Sequence, residues 1–364
     1  PSREIQRPPE TGDEWQTASP EDVGMTSPSL SRLLERIENT DDHLIHSMII
    51  VKDGMMVLEE YWPGNDLATG SLVLEFKDFD RNTLHYVASV SKSITSLLTG
   101  IALEHGHISS VEESVFSHYP DYQGLETESN APISLRHLLS FSSGFYWNEF
   151  AYGFDDPRDS HYQMFRSEDP IAHLLGRPVV TPPGAEFNYN SGDTNLLGEV
   201  IRRASQTPTF VAFAEANLFE PLGIEDYIWT RFGSAPQLTF ASGGASLRPR
   251  DMAKLGILCL NGGIWNGDRV VSTEWIQEST AMAIPLQGNY GTLYGYGYNW
   301  WLGRSPFGGQ QVEYYRAMGW GGQDVFVFPE LDLVIAFTAG GYYDIPPLNV
   351  NDLIEDYILP SIRD

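Results

Sequence analysis

The apolar positions change period along the chain, from helical to strand-like and back, and the order of those changes predicts the architecture. Between Ser27 and Glu38, the residues Leu30, Leu33, Leu34 and Ile37 recur at helical spacing after a Ser27-Pro28 start signal. Residues 47–52 and 55–61 are joined by Asp53-Gly54, which predicts a β-hairpin with Asp-Gly in its turn. Residues 84–88 read as extended chain entering a helix whose apolar stripe is Ile94, Leu97, Leu98 and Ile101. Helical patterns continue over residues 134–139, 192–204 and 209–218, whereas residues 150–167 are polar, aromatic and aperiodic. Strand signals return at residues 296–301, 311–315, 324–328 and 333–337, and an amphipathic helix is expected from about residue 350 to 359.

An early hairpin, helices in the middle and strands late make an α+β plan, not alternating βαβ units. The expected architecture is an antiparallel β-sheet flanked by helices, built from residues 27–115 and 229–364. A mostly helical lobe, residues 116–228, is inserted into it. Residues 1–26, rich in Pro, Glu and Arg up to Pro20, are expected to hug the surface as an N-terminal extension.

Composition narrows the class. With 41% hydrophobic and 12% aromatic residues in 364, the chain is a folded globular protein with a sizeable core. No window approaches the ~18 consecutive apolar residues of a membrane span. The net charge of −27 argues against nucleic acid or an anionic membrane as partner, because phosphate binding needs basic patches. Cys259 is the single cysteine, so no internal disulfide or cysteine-built metal site is expected, and its apolar run 255–260 marks it as a buried hydrophobe. The sequence begins at Pro1 with no visible signal peptide. A soluble protein is expected, cytoplasmic or exported after loss of an N-terminal segment, with oligomeric state open.

Candidate chemistry centres on Ser89-Val90-Ser91-Lys92 at the mouth of a helical pattern. Three residues apart, the hydroxyl and the amine share one helical face. A serine hydroxyl is a poor nucleophile at neutral pH, and an adjacent amine that accepts its proton is a remedy. At a helix N-terminus, free N–H groups and the helix dipole also favour a developing oxyanion. The competing reading makes Ser89 a helix cap and Lys92 a solvated cation. Tyr189, in the turn-rich segment 182–193, matters if its phenol reaches Ser89 and Lys92, where it would relay a proton; otherwise it is a half-buried loop tyrosine. Gly319-Trp320-Gly321-Gly322-Gln323 enters a strand with three glycines, which implies close backbone approach either to a ligand or to packed neighbours.

Taken together, Ser-x-x-Lys, Tyr189-Asn190-Ser191 and the Gly-rich strand entry occur in the order of the class C β-lactamase-like serine hydrolases. From about Gln16 to the end, the chain resembles that family. Supporting matches are residues 133–144, Ser242-Gly243-Gly244, 250–256 and 260–267. Residues 189–198 and 319–323 look most like the 6-aminohexanoate-dimer hydrolase branch and related esterases. The resemblance implies Ser89, Lys92 and Tyr189 as catalytic residues. It also implies Ser89, Ser191, Trp320, Gly321, Gly322 and Gln323 as oxyanion or substrate-binding residues, and no metal or organic cofactor. Two departures shape specificity. Trp320-Gly321-Gly322 stands where β-lactam-active members carry Lys-Thr-Gly, and an indole offers no cation to a substrate carboxylate. Ser191 stands where many members have Asn.

The reading is an amide- or ester-cleaving serine hydrolase acting on a small-molecule substrate, with residues 152–165 as a lid. The alternatives are β-lactamase or D-alanyl peptidase activity, and a non-catalytic binding module on the same fold. A Ser-His-Asp triad in α/β-hydrolase order is unsupported, since no Gly-x-Ser-x-Gly is present and no histidine follows His173. His105-Gly106-His107 and His43-x-x-His46 are expected in surface or capping roles, not as a metal site.

Overall fold

Asp53 and Gly54 both take left-handed backbone conformations, with φ of 53° and 74°, and close the hairpin between the Ile45–Lys52 and Met55–Tyr61 strands. The computed structural model describes residues 3–67, 71–153 and 155–363. Contacts divide it into two units, one of Pro1–Ala88, Ser246–Asn261 and Gly303–Asp364, the other of Ser89–Ala245 and Gly262–Leu302. No helix among the described residues is long and apolar enough to cross a membrane.

In the first unit, antiparallel strands run in the order Gln310–Gly319, Gln323–Phe328, Leu333–Ala339, Ile45–Lys52 and Met55–Tyr61. The register pairs Phe326 with Ile335 and Ile335 with Ile50, so β-branched and aromatic side chains line the middle of the sheet. The three central strands are buried along their whole length. Buried on both sides, such strands lose polar/apolar alternation and read as continuous apolar runs. The Pro249–Leu260 helix packs on Gln323–Phe328 and Leu333–Ala339. It comes close because Gly256 has no side chain: a Cβ there would lie 2.6 Å from Val334 and 2.9 Å from Val325.

One buried cation, Arg250, is among the links between the N-terminal residues and this unit. Arg250 accommodates Glu59 in a bidentate pair at 2.7 and 2.6 Å, and also donates to Asp13 and to the Pro9 carbonyl. The expected closing helix is not uniform. It runs as α-helix over Val350–Leu353, widens to a π-turn over Ile354–Ile358 and tightens over Leu359–Ser361, where Pro360 has no N–H to continue the ladder.

The second unit is built around the Val90–Glu104 helix, which is buried on nearly every side and not along one stripe. Several of its hydroxyls are satisfied within the core. Thr99 donates to the Thr95 carbonyl, Thr95 to those of Ser91 and Ala241, and Ser93 to that of Asn299. Gly100 lets Trp275 close on the helix, where the indole N–H donates to the Ser96 carbonyl.

Residues 296–301 do not form the continuous strand that their pattern predicts. Strand Leu293–Tyr296 ends there and Trp301–Phe307 begins, separated by Asn299 at φ 62°. Buried Asn299 bonds Thr194 and the Leu139 carbonyl, so its tertiary contacts override the local preference. Residues 150–167 contain a helix that the pattern missed, Ser160–Arg166, capped by Asp159. Phe154, within the expected lid, lies outside the described residues.

Gly256→Val is expected to destabilise the fold by about 1–3 kcal/mol through overpacking, seen as a lower urea midpoint at unchanged m value. A midpoint at or above that of the parent contradicts this packing.

Candidate active site

Ser89 sits immediately before the Val90–Glu104 helix, and its side chain makes no capping bond. Lys92, one turn on, is buried, which excludes the solvated reading. Its ammonium nitrogen lies 2.9 Å from Ser89 Oγ and 2.7 Å from the Ser242 carbonyl. Burial pushes the Lys92 pKa down to about 8, partly opposed by the Glu149 charge. A lysine so placed is about one tenth free amine at pH 7, far more than an ordinary lysine, and the free amine is the form that accepts a proton. The backbone N–H of Ser242 is itself fixed by Asn195 Oδ1 at 3.1 Å.

Tyr189 ends the loop before the Ser191–Ser205 helix, which Asn190 caps through the Asp193 N–H. The Lys92 nitrogen stands 4.9 Å from the centroid of the Tyr189 ring. The ring is half-buried, stacked parallel to Trp301 at 5.8 Å and edge-on to Phe141 at 4.9 Å. Phe141 is a buried residue at φ 53°, and its carbonyl accepts from the Asn188 N–H. The loop that carries Tyr189 is thereby pinned beside the helix that carries Ser89 and Lys92.

Ser191 is buried, and both its N–H and its hydroxyl donate to Glu149, at 2.9 and 2.8 Å. In this structure its hydroxyl proton points to that carboxylate. Trp147 Nε1 adds a further bond to Glu149 at 2.5 Å. The structure thus brings Ser89, Lys92, Tyr189 and Ser191 together in one unit.

Trp320, Gly321, Gly322 and Gln323 belong to the first unit, where Gly321 and Gly322 lie close to packed neighbours. Gly321 has φ 90°, and a Cβ there would lie 2.4 Å from the Tyr342 ring. Gly341 bonds back to the Gly321 carbonyl, Trp320 Nε1 donates to the Tyr342 carbonyl, and the buried Gln323 amide donates to the Ala339 carbonyl at 2.6 Å.

Sequence reasoning missed Glu149, Asn195 and Asn299, and quoted Ser242 without a role. Ser242-Gly243-Gly244 was a visible signal; Glu149 had none, standing just before the aperiodic stretch 150–167. His46 also departs from expectation. It is buried, stacks on Phe79 at 4.2 Å and lies 2.8 Å from His85 Nε2. With Asp66 these residues place metal-ligating atoms within 4.8 Å of one another. The facing nitrogens already share a hydrogen bond, however, and the Lys77 ammonium sits 3.2 Å from Asp66. The cluster is held together by its own polar contacts.

The family model described as Beta-lactamase matches residues 36–355. The chain belongs to the Beta-lactamase family. Among curated relatives, the "6-aminohexanoate-dimer hydrolase" of Paenarthrobacter ureafaciens is 25% identical over 283 residues, 72% of this chain and 64% of that protein. The chain thus spans less than two thirds of that relative's length. A solved family VIII carboxylesterase has TM-score 0.68 at 17% identity, covering 92% of this chain and 98% of that one. A penicillin-binding protein homologue from Caulobacter crescentus also gives 0.68 at 17%, covering 90% and 96%. These structures share the antiparallel sheet with helices expected of an α+β member of the Beta-lactamase family.

The chain holds four lysines, which makes Lys92 accessible to site-resolved titration. By ¹⁵N NMR, its ammonium is expected to titrate near pH 8. Glu149→Gln should lower that midpoint, since the carboxylate opposes the effect of burial. A midpoint at the ordinary lysine value, or an upward shift in the variant, contradicts the electrostatics.

Proposed function

We propose that the protein is a serine hydrolase that cleaves small amides or esters through an acyl-enzyme on Ser89. One observation carries this reading: Lys92 is buried, depressed in pKa and within hydrogen-bond distance of Ser89 Oγ. Ser89 Oγ attacks the substrate carbonyl as the Lys92 amine takes its proton, and a new C–O bond forms. The tetrahedral oxyanion develops at the helix N-terminus, where the Ser89 N–H and the dipole stabilise it. Collapse breaks the bond to the leaving alcohol or amine. That group takes the proton from Lys92, with Tyr189 beside it as relay. Water then attacks the acyl carbon and gives up a proton to the same pair; the bond from that carbon to Ser89 Oγ breaks, the pair returns the proton to Oγ, and the acid leaves.

The 6-aminohexanoate-dimer hydrolase and carboxylesterase likenesses support an amidase or esterase. Trp320, in place of the lysine of the β-lactam-active pattern, supports the same choice over a carboxylate-recognising β-lactamase or D-alanyl peptidase. A merely binding module has no need of a buried lysine against a serine. Retention of both favours catalysis.

A panel of short-chain esters, linear amides including the 6-aminohexanoate dimer, a chromogenic cephalosporin and a D-Ala-D-Ala peptide tests the reading. Ester or linear amide turnover should lead, with kcat/KM rising as pH passes about 8 and Lys92 loses its proton. His161, which burial holds down to about 4, cannot produce that inflection. Lys92→Ala should cost roughly 10²–10⁴ in kcat/KM. Faster cephalosporin turnover, or full activity in Lys92→Ala, would overturn the assignment.

A further inference from the structure

Beside Tyr189 lies a cavity of about 200 Å³, wholly within the second unit. It is small for a whole ligand and suited to one compact substituent. Its walls are π faces, chiefly Phe150, Phe187, Tyr189, Tyr290 and Trp301. Tyr189 and Trp301 are nearly parallel, with 13° between their planes, while Phe187 meets Trp301 edge-on at 5.7 Å. Phe150 and Tyr290 are exposed and form the mouth.

The electrostatics of the wall have one sign. Among the lining residues, Glu149 is the charged side chain, and no lysine or arginine lines the space. Its carboxylate accepts three hydrogen bonds, from Trp147, Ser191 N–H and Ser191 Oγ. These hold it in place and leave one of about four acceptor positions open. Aromatic faces carry negative quadrupole potential, and a ring-walled space with a fixed carboxylate attracts alkylammonium groups far more than anions.

Two cations, Arg177 and Lys92, lie nearby. Arg177 stacks behind the wall on Trp147, at 5.4 Å, and is tied to Gln163 and Ser160. Lys92 approaches the Tyr189 ring and loses its proton in the form that accepts from Ser89. Neither closes the cavity to a cation. The net charge of −27 works in the same direction at long range, concentrating cations around the molecule.

We propose that this cavity is a cation-selective specificity site, which takes an alkylammonium group carried on the ester or amide substrate. The inference rests on the serine hydrolase reading and adds a substrate class to it. Trp301, Tyr189 and Phe187 supply the rings, and Glu149 the countercharge. Anionic substituents are disfavoured at the same place.

The test uses isosteric pairs that differ in charge alone. One pair is acetylcholine and 3,3-dimethylbutyl acetate. The other is the phenyl esters of 4-(trimethylammonio)butanoate and 5,5-dimethylhexanoate, which move the charge to the acyl half. In at least one pair, kcat/KM for the cationic ester should exceed that of its neutral isostere by about tenfold or more. The preference should shrink with added salt and in Trp301→Leu and Glu149→Gln. Equal or faster turnover of both neutral esters, still abolished by Ser89→Ala, overturns the cation site and leaves the hydrolase standing. A preference that survives both cavity variants overturns its assignment to this cavity. No turnover of any ester above Ser89→Ala, with no fluorophosphonate adduct, defeats the hydrolase reading and this inference with it.

Discussion

Desolvation of one lysine is the constraint on which the second unit turns. Lys92 could lie comfortably in water, and burying an ammonium is costly unless it is paired or gives up its proton. Here both remedies operate in part. The Ser242 carbonyl and Ser89 Oγ receive its N–H groups, Glu149 supplies distant negative charge, and the pKa falls to about 8. The helix around it is accordingly buried, with the Ser93, Thr95 and Thr99 hydroxyls returned to carbonyl groups.

The supporting residues follow from that constraint. Asn195 fixes Ser242, which fixes Lys92; Ser191 and Trp147 fix Glu149, which tempers the lysine's loss of charge. Asn299 joins the Ser89 helix to the Leu135–Leu139 and Ser191–Ser205 helices through Ser93, Leu139 and Thr194. These bonds align the Tyr189 loop with the helix bearing Ser89. Side chains that hold a site in this way act through geometry, and their loss loosens it without removing a reacting group.

Much of this was legible in the sequence, where pattern and chemistry are local. The Ser27–Glu38 helix and the Asp53-Gly54 hairpin follow directly from periodicity and turn chemistry. Ser-x-x-Lys and the Tyr189 segment could be read because three-residue spacing and chain order carry the information. What escaped is long-range. Asn299 breaks a strand-like run because its amide has partners more than a hundred residues away. Glu149 looks like any loop acid until Ser191, 42 residues on, folds against it. His46 looked like a surface histidine because its partners, Phe79 and His85, lie on separate segments. The glycines at 321 and 322 were ambiguous by nature, since close approach to a ligand needs the same residue as close approach to Tyr342 or to Ala339.

The central claim is that Ser89 is a nucleophile switched on by deprotonation of buried Lys92. The most direct measurement is the rate of Ser89 labelling by a fluorophosphonate across pH 6 to 10, followed by intact mass and peptide mapping. The account predicts a single adduct on Ser89 whose rate rises through an inflection near pH 8 and vanishes in Lys92→Ala. No adduct on Ser89, or labelling that is independent of pH and of Lys92, would contradict it.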